Sequence, residues 1–362
     1  MGASIVVCVW AVALAGCFNY NLPYPGDGTT DSTGDPDAVA DADVDMTVDT
    51  EDDRPTDATA DTATDPVPDL ELDTDRDPVD DRVTDTSGDI PGDAPPIPTL
   101  VLISANTFSM GSPDTGTEPG RGTDENQHDV TLTVSFWMME TEVTQPQFFA
   151  VMGYDRSSHS SCSNCPATNM NWHEAADYAN RLSLATGYTE CYDCTGTYPS
   201  ISCDLDSAHA SPYDCPGYRL PTEAEWEFAA RAGTSTATYN GTCDSGHLLC
   251  EQPNTVLDTI AWFCGNDSSN TNPVRTQNPN PWGLYDMLGN VWEWTYDWLT
   301  SSLPTTPVTD PSGPGSGTDR SMRGGSWGSG GWTAQHCRAA ERHGEQPNDD
   351  RDNLGFRLVR NY

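Results

Sequence analysis

Lysine is absent from this sequence, and all 16 basic residues are arginine. Such a chain cannot form a Schiff base through an ε-amine or supply the lysine of a phosphate-binding P-loop. Positive charge is scarce altogether, since 56 acidic residues leave a formal net charge of −40. That balance excludes nucleic acid as a partner, because binding phosphates needs a basic face. Aromatic residues are missing from residues 26–98. The longest apolar run, residues 4–17, is too short to span a bilayer. The seven histidines, at 128, 159, 173, 209, 247, 336 and 343, show no metal-ligand spacing.

The apolar run, "SIVVCVWAVALAGC", has the length of a secretory signal core and ends in small residues. Its end, Leu14-Ala15-Gly16-Cys17, resembles the lipobox of bacterial lipoproteins. The resemblance implies that residues 1–17 are a signal peptide and that Cys17 becomes the lipidated first residue. One departure is that no arginine or lysine precedes the run. N-myristoylation does not fit, because Val6 stands where a hydroxyl residue is needed. Phe18, rather than Asp, follows the cysteine, which points to an outer-membrane or cell-surface location.

Residues 18–98 are dominated by Asp, Thr, Pro and Ala. Residues 21–97 alone hold 24 acidic residues against 3 arginines, about half of the net charge. Such a segment buries too little apolar surface to offset its ordering entropy, and its like charges extend it. We read it as a disordered acidic tether. It lacks the ligand spacing of an EF-hand.

Composition changes at Thr99, and residues 99–362 hold ten of the eleven tryptophans and ten of the twelve cysteines. That length suits one large domain. Three helices are predicted. "TQPQFFAVMG" has Thr144 as cap with Gln147 three residues on, and stops at Gly153. "NWHEAADYANRLSLATG" puts Trp172, Ala175, Ala179 and Leu182 on one face and ends at Gly187. "LPTEAEWEFAARAG" carries a capping box, Thr222 with Glu225, closed by Gly233. Strands are expected in "TLVLIS", "VTLTVSFWM" and "FRLVRN". The rest is rich in Gly, Pro, Asn, Asp and Ser, so irregular structure should dominate an α+β domain.

Six segments occur in a telling order: "LISANTFSMGS" (102–112), "ETEVTQPQF" (140–148), "YRLPTEAEWEFAARAG" (218–233), "NPWGLYDMLGNVWEWTYDW" (280–298), "RGGSW" (323–327) and "NLGFRLVR" (353–360). Together they resemble the formylglycine-generating-enzyme, or sulfatase-modifying-factor, family across essentially all of 99–362. The resemblance implies a C-type-lectin-like fold with little regular structure. Active relatives convert a sulfatase cysteine to formylglycine with copper and oxygen, and other members are non-catalytic.

In "YDMLGNVWEW", Asp286 and Glu293 offer carboxylates, with the Gly289 and Val291 carbonyls between them. Oxygen-only ligands of mixed origin suit Ca²⁺, and these four positions match a calcium site of the family. A Gly-Asn turn that packs Trp292 and Trp294 into the core is the compatible structural reading. Arg219, Arg231, Arg323, Arg342 and Arg357 lie inside the motifs. Buried pairing with Glu223, Glu227 or Glu293 is expected of them, ahead of substrate binding.

Cys162-x-x-Cys165 and Cys191-x-x-Cys194 could form a zinc site. The exported setting, and Cys203, Cys215, Cys243, Cys250, Cys264 and Cys337 beside them, favour disulfides instead. Most of the first six are expected to staple residues 160–215. The segment "WTAQHCRAAER" (332–342) holds only one cysteine. Active aerobic relatives carry a cysteine pair there, C-x4-C-A-A-R, because Cu(I) takes two thiolates. Anchored on Arg342 and Asn353-Leu354-Gly355-Phe356-Arg357, the pair's positions fall on Ala334 and Ala339. The resemblance therefore implies neither copper nor formylglycine generation. His336 and Cys337, if adjacent on a strand, would point apart. The histidine cluster of the family's iron-dependent relatives also has no counterpart in residues 1–98.

The leading expectation is an envelope-anchored lipoprotein with a non-catalytic binding or structural module, facing a protein or glycan partner. Two alternatives stand beside it. An oxidative enzyme using other residues of the scaffold predicts an open pocket near Trp327, Ala334, Ala339 and Arg342. A carbohydrate-binding module predicts exposed tryptophans.

Overall fold

The computed structural model describes residues 97–362 except 117, 160–161, 243–253, 267–268 and 329–333. The signal segment, Cys17, nearly all of the acidic tether, Cys243 and Cys250 lie outside the described residues.

The three helices form where their caps and apolar periods put them. Helix α1, Gln145–Met152, has the Thr144/Gln147 capping box and stops at Gly153, whose φ is 78°. Helix α2, Trp172–Ala185, is capped by Asn171 with Glu174 and buries Trp172, Ala175, Ala179 and Leu182. Helix α3, Glu223–Arg231, has the Thr222/Glu225 box, and all nine of its residues are buried. A capping side chain of this kind stabilises a helix by about 1 kcal/mol. Both flanks of α3 are covered, so its carboxylates must find partners inside the protein.

Strands are short and fall into four sheets. The first runs β1–β4–β13–β7 and holds β1 (Leu100–Ile103), β4 (Phe136–Met139), β7 (Tyr218–Arg219) and β13 (Val359–Asn361). The second runs β11–β10–β8–β12 and holds β8 (Trp292–Trp298), β10 (Arg320–Arg323), β11 (His343–Glu345) and β12 (Leu354–Gly355). The third joins β2 (Thr107–Met110), β3 (His128–Thr131) and β9 (Val308–Thr309). A hairpin pairs β5 (Tyr192–Thr195) with β6 (Ser202–Leu205). "VTLTVSFWM" is thus two strands rather than one, because β3 and β4 belong to different sheets. The mixture of three helices and many short strands is the α+β architecture expected of the motifs.

Two core clusters fill the space between these elements. Trp226 and Phe228 of α3 pack with Met287 and Leu288 in one. Trp172, Trp292 and Trp294 pack with Phe148 and Phe356 in the other. Disulfides Cys162–Cys165, Cys191–Cys215 and Cys194–Cys203 staple the 160–215 region. The two C-x-x-C pairs therefore do not make a zinc site. Cys264 is also disulfide-bonded. Of the two states expected of Cys337, half of a disulfide or a buried thiol, the structure shows the buried thiol.

Buried ion pairs complete the framework. Arg219 is bidentate to Glu225, at 2.7 and 2.8 Å. Arg342 is bidentate to Glu223, at 2.6 and 2.9 Å. Glu227 takes both Arg231 and Arg323. Arg338, which the sequence reading passed over, is fully buried and meets Glu118, Glu125 and Glu341. The guanidinium's planar fork suits these contacts in a way an ammonium does not.

Candidate functional site

Residues 286–293 make a sharp turn into β8. Asp286, Gly289 and Asn290 all take the left-handed conformation, with φ of 54°, 78° and 58°. At Gly289 no side chain fits, since a Cβ would stand 2.3 Å from the Trp262 carbonyl oxygen. Asn290 fixes the turn by accepting from Asn272 N–H at 2.9 Å, while its own carbonyl accepts from Trp327 N–H at 3.0 Å. The turn delivers Trp292 and Trp294 to the core fully buried, as expected.

The two carboxylates of this motif have different fates. Glu293 is bidentate to Arg357, at 2.8 Å on each oxygen, and also accepts from Trp226 Nε1–H at 2.9 Å. Oε1 of Glu293 thus takes one of these bonds and Oε2 takes two. Asp286 accepts from Arg275 N–H at 2.8 Å through Oδ2, but its buried Oδ1 has no hydrogen-bond partner. Burial pushes Asp286 up to about 6.

The missing partner comes from elsewhere in the chain. Glu142, in the loop between β4 and α1, is fully buried, and neither of its carboxylate oxygens has a hydrogen-bond partner. Burial raises its pKa far above the ordinary carboxylate range, and the negative charges of Asp286 and Glu293 add to the rise. Arg357, and to a smaller extent the backbone of Glu142 itself, act against it, and that guanidinium is already bound to Glu293. Three oxygens of Glu142 and Asp286 are thus buried without donors. Such groups are costly unless something else satisfies them, and protonation or a hard, oxygen-seeking cation would each do so. Among the described residues no group of three or more His, Cys, Asp or Glu side chains is arranged to hold a metal ion. A cation here would therefore need backbone carbonyls, such as those of Gly289 and Val291, beside the two carboxylates. The signal available in sequence was a lone Glu142 between Thr141 and Val143, within "ETEVTQPQF".

The family cysteine positions are closed. Ala334 and Ala339 are each 1% exposed and belong to the core cluster around Trp226. Ala334 opens a 3₁₀ turn, Ala334–His336, rather than a strand. Cys337 N–H donates to the Ala334 carbonyl at 3.1 Å. Cys337 itself is 1% exposed. The His336 ring faces Glu341, with Nε2 at 3.8 Å from its carboxylate. Trp327 and Arg342 are also buried. None of the exposed large hydrophobic residues is a tryptophan among the described residues. Trp327, Ala334, Ala339 and Arg342 are thus all buried, and among the described residues no tryptophan is exposed, where the two alternative readings require an open pocket and exposed tryptophans.

A turn of left-handed residues, arginine–carboxylate pairs around β8 and α3, and a mostly irregular α+β frame define the class of protein. The chain belongs to the family described as sulfatase-modifying factor enzyme 1-like domain, matched over residues 86–362. Among relatives, the formylglycine-generating enzyme of Streptomyces coelicolor is 37% identical over 154 residues, covering 40% of this chain and 46% of that enzyme. The chaperone protein LppX of Paenibacillus barcinonensis is 30% identical over 252 residues, covering 63% of this chain and 78% of that protein. The chain spans less than half the length of the formylglycine-generating enzymes it matches. Among solved structures, Treponema denticola variable protein 1 superposes with a TM-score of 0.59 at 29% identity, covering 73% of this chain and 95% of that one.

Proposed function

We propose that this chain is an envelope-anchored lipoprotein whose sulfatase-modifying-factor-like domain is a non-catalytic binding or structural module. The observation that carries the reading is the state of Ala334 and Ala339: both positions are side-chain-poor, fully buried and packed in the core. Copper-dependent formylglycine formation needs two thiolates converging on a soft ion, and the cysteine beside these alanines, Cys337, is buried. Cys17 is the anchor, and residues 18–98 hold the domain away from the membrane surface. A protein partner is favoured over a glycan. The tryptophans are buried or half-buried among the described residues, and one relative covering most of its own length is named a chaperone.

Glu142 and Asp286 would hold a structural calcium ion, whose charge would offset their buried carboxylates. The role of these residues is then to pin the loop before α1 against the turn before β8. The deciding experiment incubates the purified mature chain with a cysteine-containing sulfatase peptide, copper and oxygen. The Streptomyces coelicolor formylglycine-generating enzyme serves as positive control. The expected outcome is no aldehyde by mass spectrometry, and conversion of the peptide would overturn the non-catalytic reading. Labelled palmitate entering the wild-type chain but not Cys17→Ser tests the anchor.

A further inference from the structure

A cavity of about 230 Å³ lies where α3, the end of β8 and the 303–313 loop meet. Met110, Trp298, Leu303 and Pro311 give it an apolar wall. Its polar groups are few: Asp297, His128 and Ser312, with Glu223 and Thr300 behind them. Pro304 and Gly313, both exposed, mark its mouth.

Asp297 is the group that sets the chemistry. Its carboxyl is 4% exposed and accepts from Glu223 N–H at 2.8 Å through Oδ2. Among the described residues no arginine pairs with it. The nearby guanidinium, Arg342, is committed to Glu223 and to the Thr300 carbonyl. Oδ1 is kept uncovered by Gly313. A Cβ there would sit 2.9 Å from Asp297 Cβ and 3.2 Å from Oδ1, and the φ of 73° also favours glycine. The ring of His128 is held in the wall, its Nδ1 3.1 Å from the Asn126 carbonyl oxygen, which can only accept, so Nδ1 carries a proton. The cavity thus offers a carboxyl that no arginine pairs with among the described residues, and an ammonium group would find a partner there.

We propose that this cavity binds a primary ammonium group carried on an apolar body. The acid's own behaviour agrees: burial, with the Glu223 and Glu225 charges, pushes Asp297 up to about 8, against the pull of Arg342 and the Glu223 N–H bond. A bound ammonium favours the ionised carboxylate, so binding near neutral pH releases a proton. The inference goes beyond the proposed envelope role and shares no residue with the closed cysteine positions. It stands or falls independently of the formylglycine assay.

The test is isothermal titration of the full chain near neutral pH with benzylamine and, separately, with N-acetyl-lysine methylamide. Buffers of different ionisation enthalpy read the proton release. Saturable one-to-one binding of benzylamine, with proton release, supports a small free amine as occupant. Binding of the lysine derivative in preference supports a side chain donated by a partner protein. Benzyl alcohol and phenylacetate should not compete. Asp297→Asn keeps an acceptor for Glu223 N–H and should weaken binding by about tenfold or more. Pro304→Trp, which leaves the carboxyl in place, should block entry. The proposal is overturned if neither amine binds, or if binding survives in both variants unchanged.

Discussion

The pair Glu142 and Asp286 makes a prediction whose sign can be worked out. Without a cation, the carboxyl of Asp286 titrates near 3.8 in the unfolded chain and about 6 in the fold. A carboxyl with a raised folded pKa costs stability as pH rises between those two values. The cost amounts to about 3 kcal/mol once both limits are passed, at about 1.4 kcal/mol per unit. Asp286 is 1% exposed, so solvent screening takes little from that figure. Glu142, raised well above its ordinary 4.5 by burial, adds a second loss of the same sign. In chelator, the melting temperature should therefore fall as pH rises from about 4 to 7.

Calcium would reverse this trend, since it competes with protons for the same oxygens. At about a hundredfold excess over its dissociation constant it contributes about 2.7 kcal/mol. For a domain of this size that is a rise of roughly 5–10 °C in melting temperature at neutral pH. Differential scanning fluorimetry with and without chelator, across pH, reads both effects. Glu142→Gln should lose the calcium response and, in chelator near neutral pH, melt higher than wild type because the cost of burying an ionisable carboxyl is gone. A melting temperature indifferent to chelator at every pH would refute the reasoning. So would a Glu142→Gln variant less stable than wild type in chelator.

Three further outcomes are expected. Arg357→Met strands Glu293 in the core with only Trp226 as donor, and should cost about 3–5 kcal/mol in denaturant unfolding; a loss under 1 kcal/mol would mean the pair is not desolvated. Removing Cys191–Cys215 as a double alanine variant frees a longer loop than removing Cys162–Cys165, with sequence separations of 24 and 3. The chain-entropy model gives losses of about 3 and about 2 kcal/mol, and the reverse order would contradict it. Cys337 should be silent to a chromogenic thiol reagent in the native chain and react fully in denaturant, because its exposure is 1%. Rapid native labelling would show that the 334–339 segment opens.

The helices were legible because their signals are local. Thr144 with Gln147, Thr222 with Glu225, and the glycines after each helix carry the boundary within a few residues of chain. The arginine pairing was legible in kind but not in detail. Glu118 went unassigned as a partner because ion pairs form through space: Arg338 meets it across 220 positions. The surroundings of Asp286 and Glu293 show the same limit. Asp286 and Glu293 are neighbours in sequence, yet the fold gives Glu293 to Arg357 and brings Glu142 to Asp286 instead. Spacing within a motif reports what one turn can reach, and says nothing of a carboxylate arriving from the loop before α1. Nothing periodic marks the 334–337 segment in sequence, and the chain makes a 3₁₀ turn over Ala334–His336 there.

The architecture is held together by something other than regular secondary structure. The longest strand has seven residues, and most of the others have four or fewer. Regular hydrogen bonding alone cannot define so irregular a chain. The geometry is held by directional contacts that cross it: Arg219–Glu225, Arg342–Glu223, Arg323–Glu227 and Arg357–Glu293, each fully or nearly fully buried. A buried charge pair contributes little net stability against an apolar replacement, but breaking one side is severe. Such pairs therefore fix which carboxylate sits beside which guanidinium, and with it the path of each loop. Arg323 also donates to the Ala339 backbone carbonyl at 3.0 Å, a contact that asks nothing of the side chain there. None of the four pairs depends on a side chain at Ala334 or Ala339, which pack in the same core cluster as Trp226 and Met287.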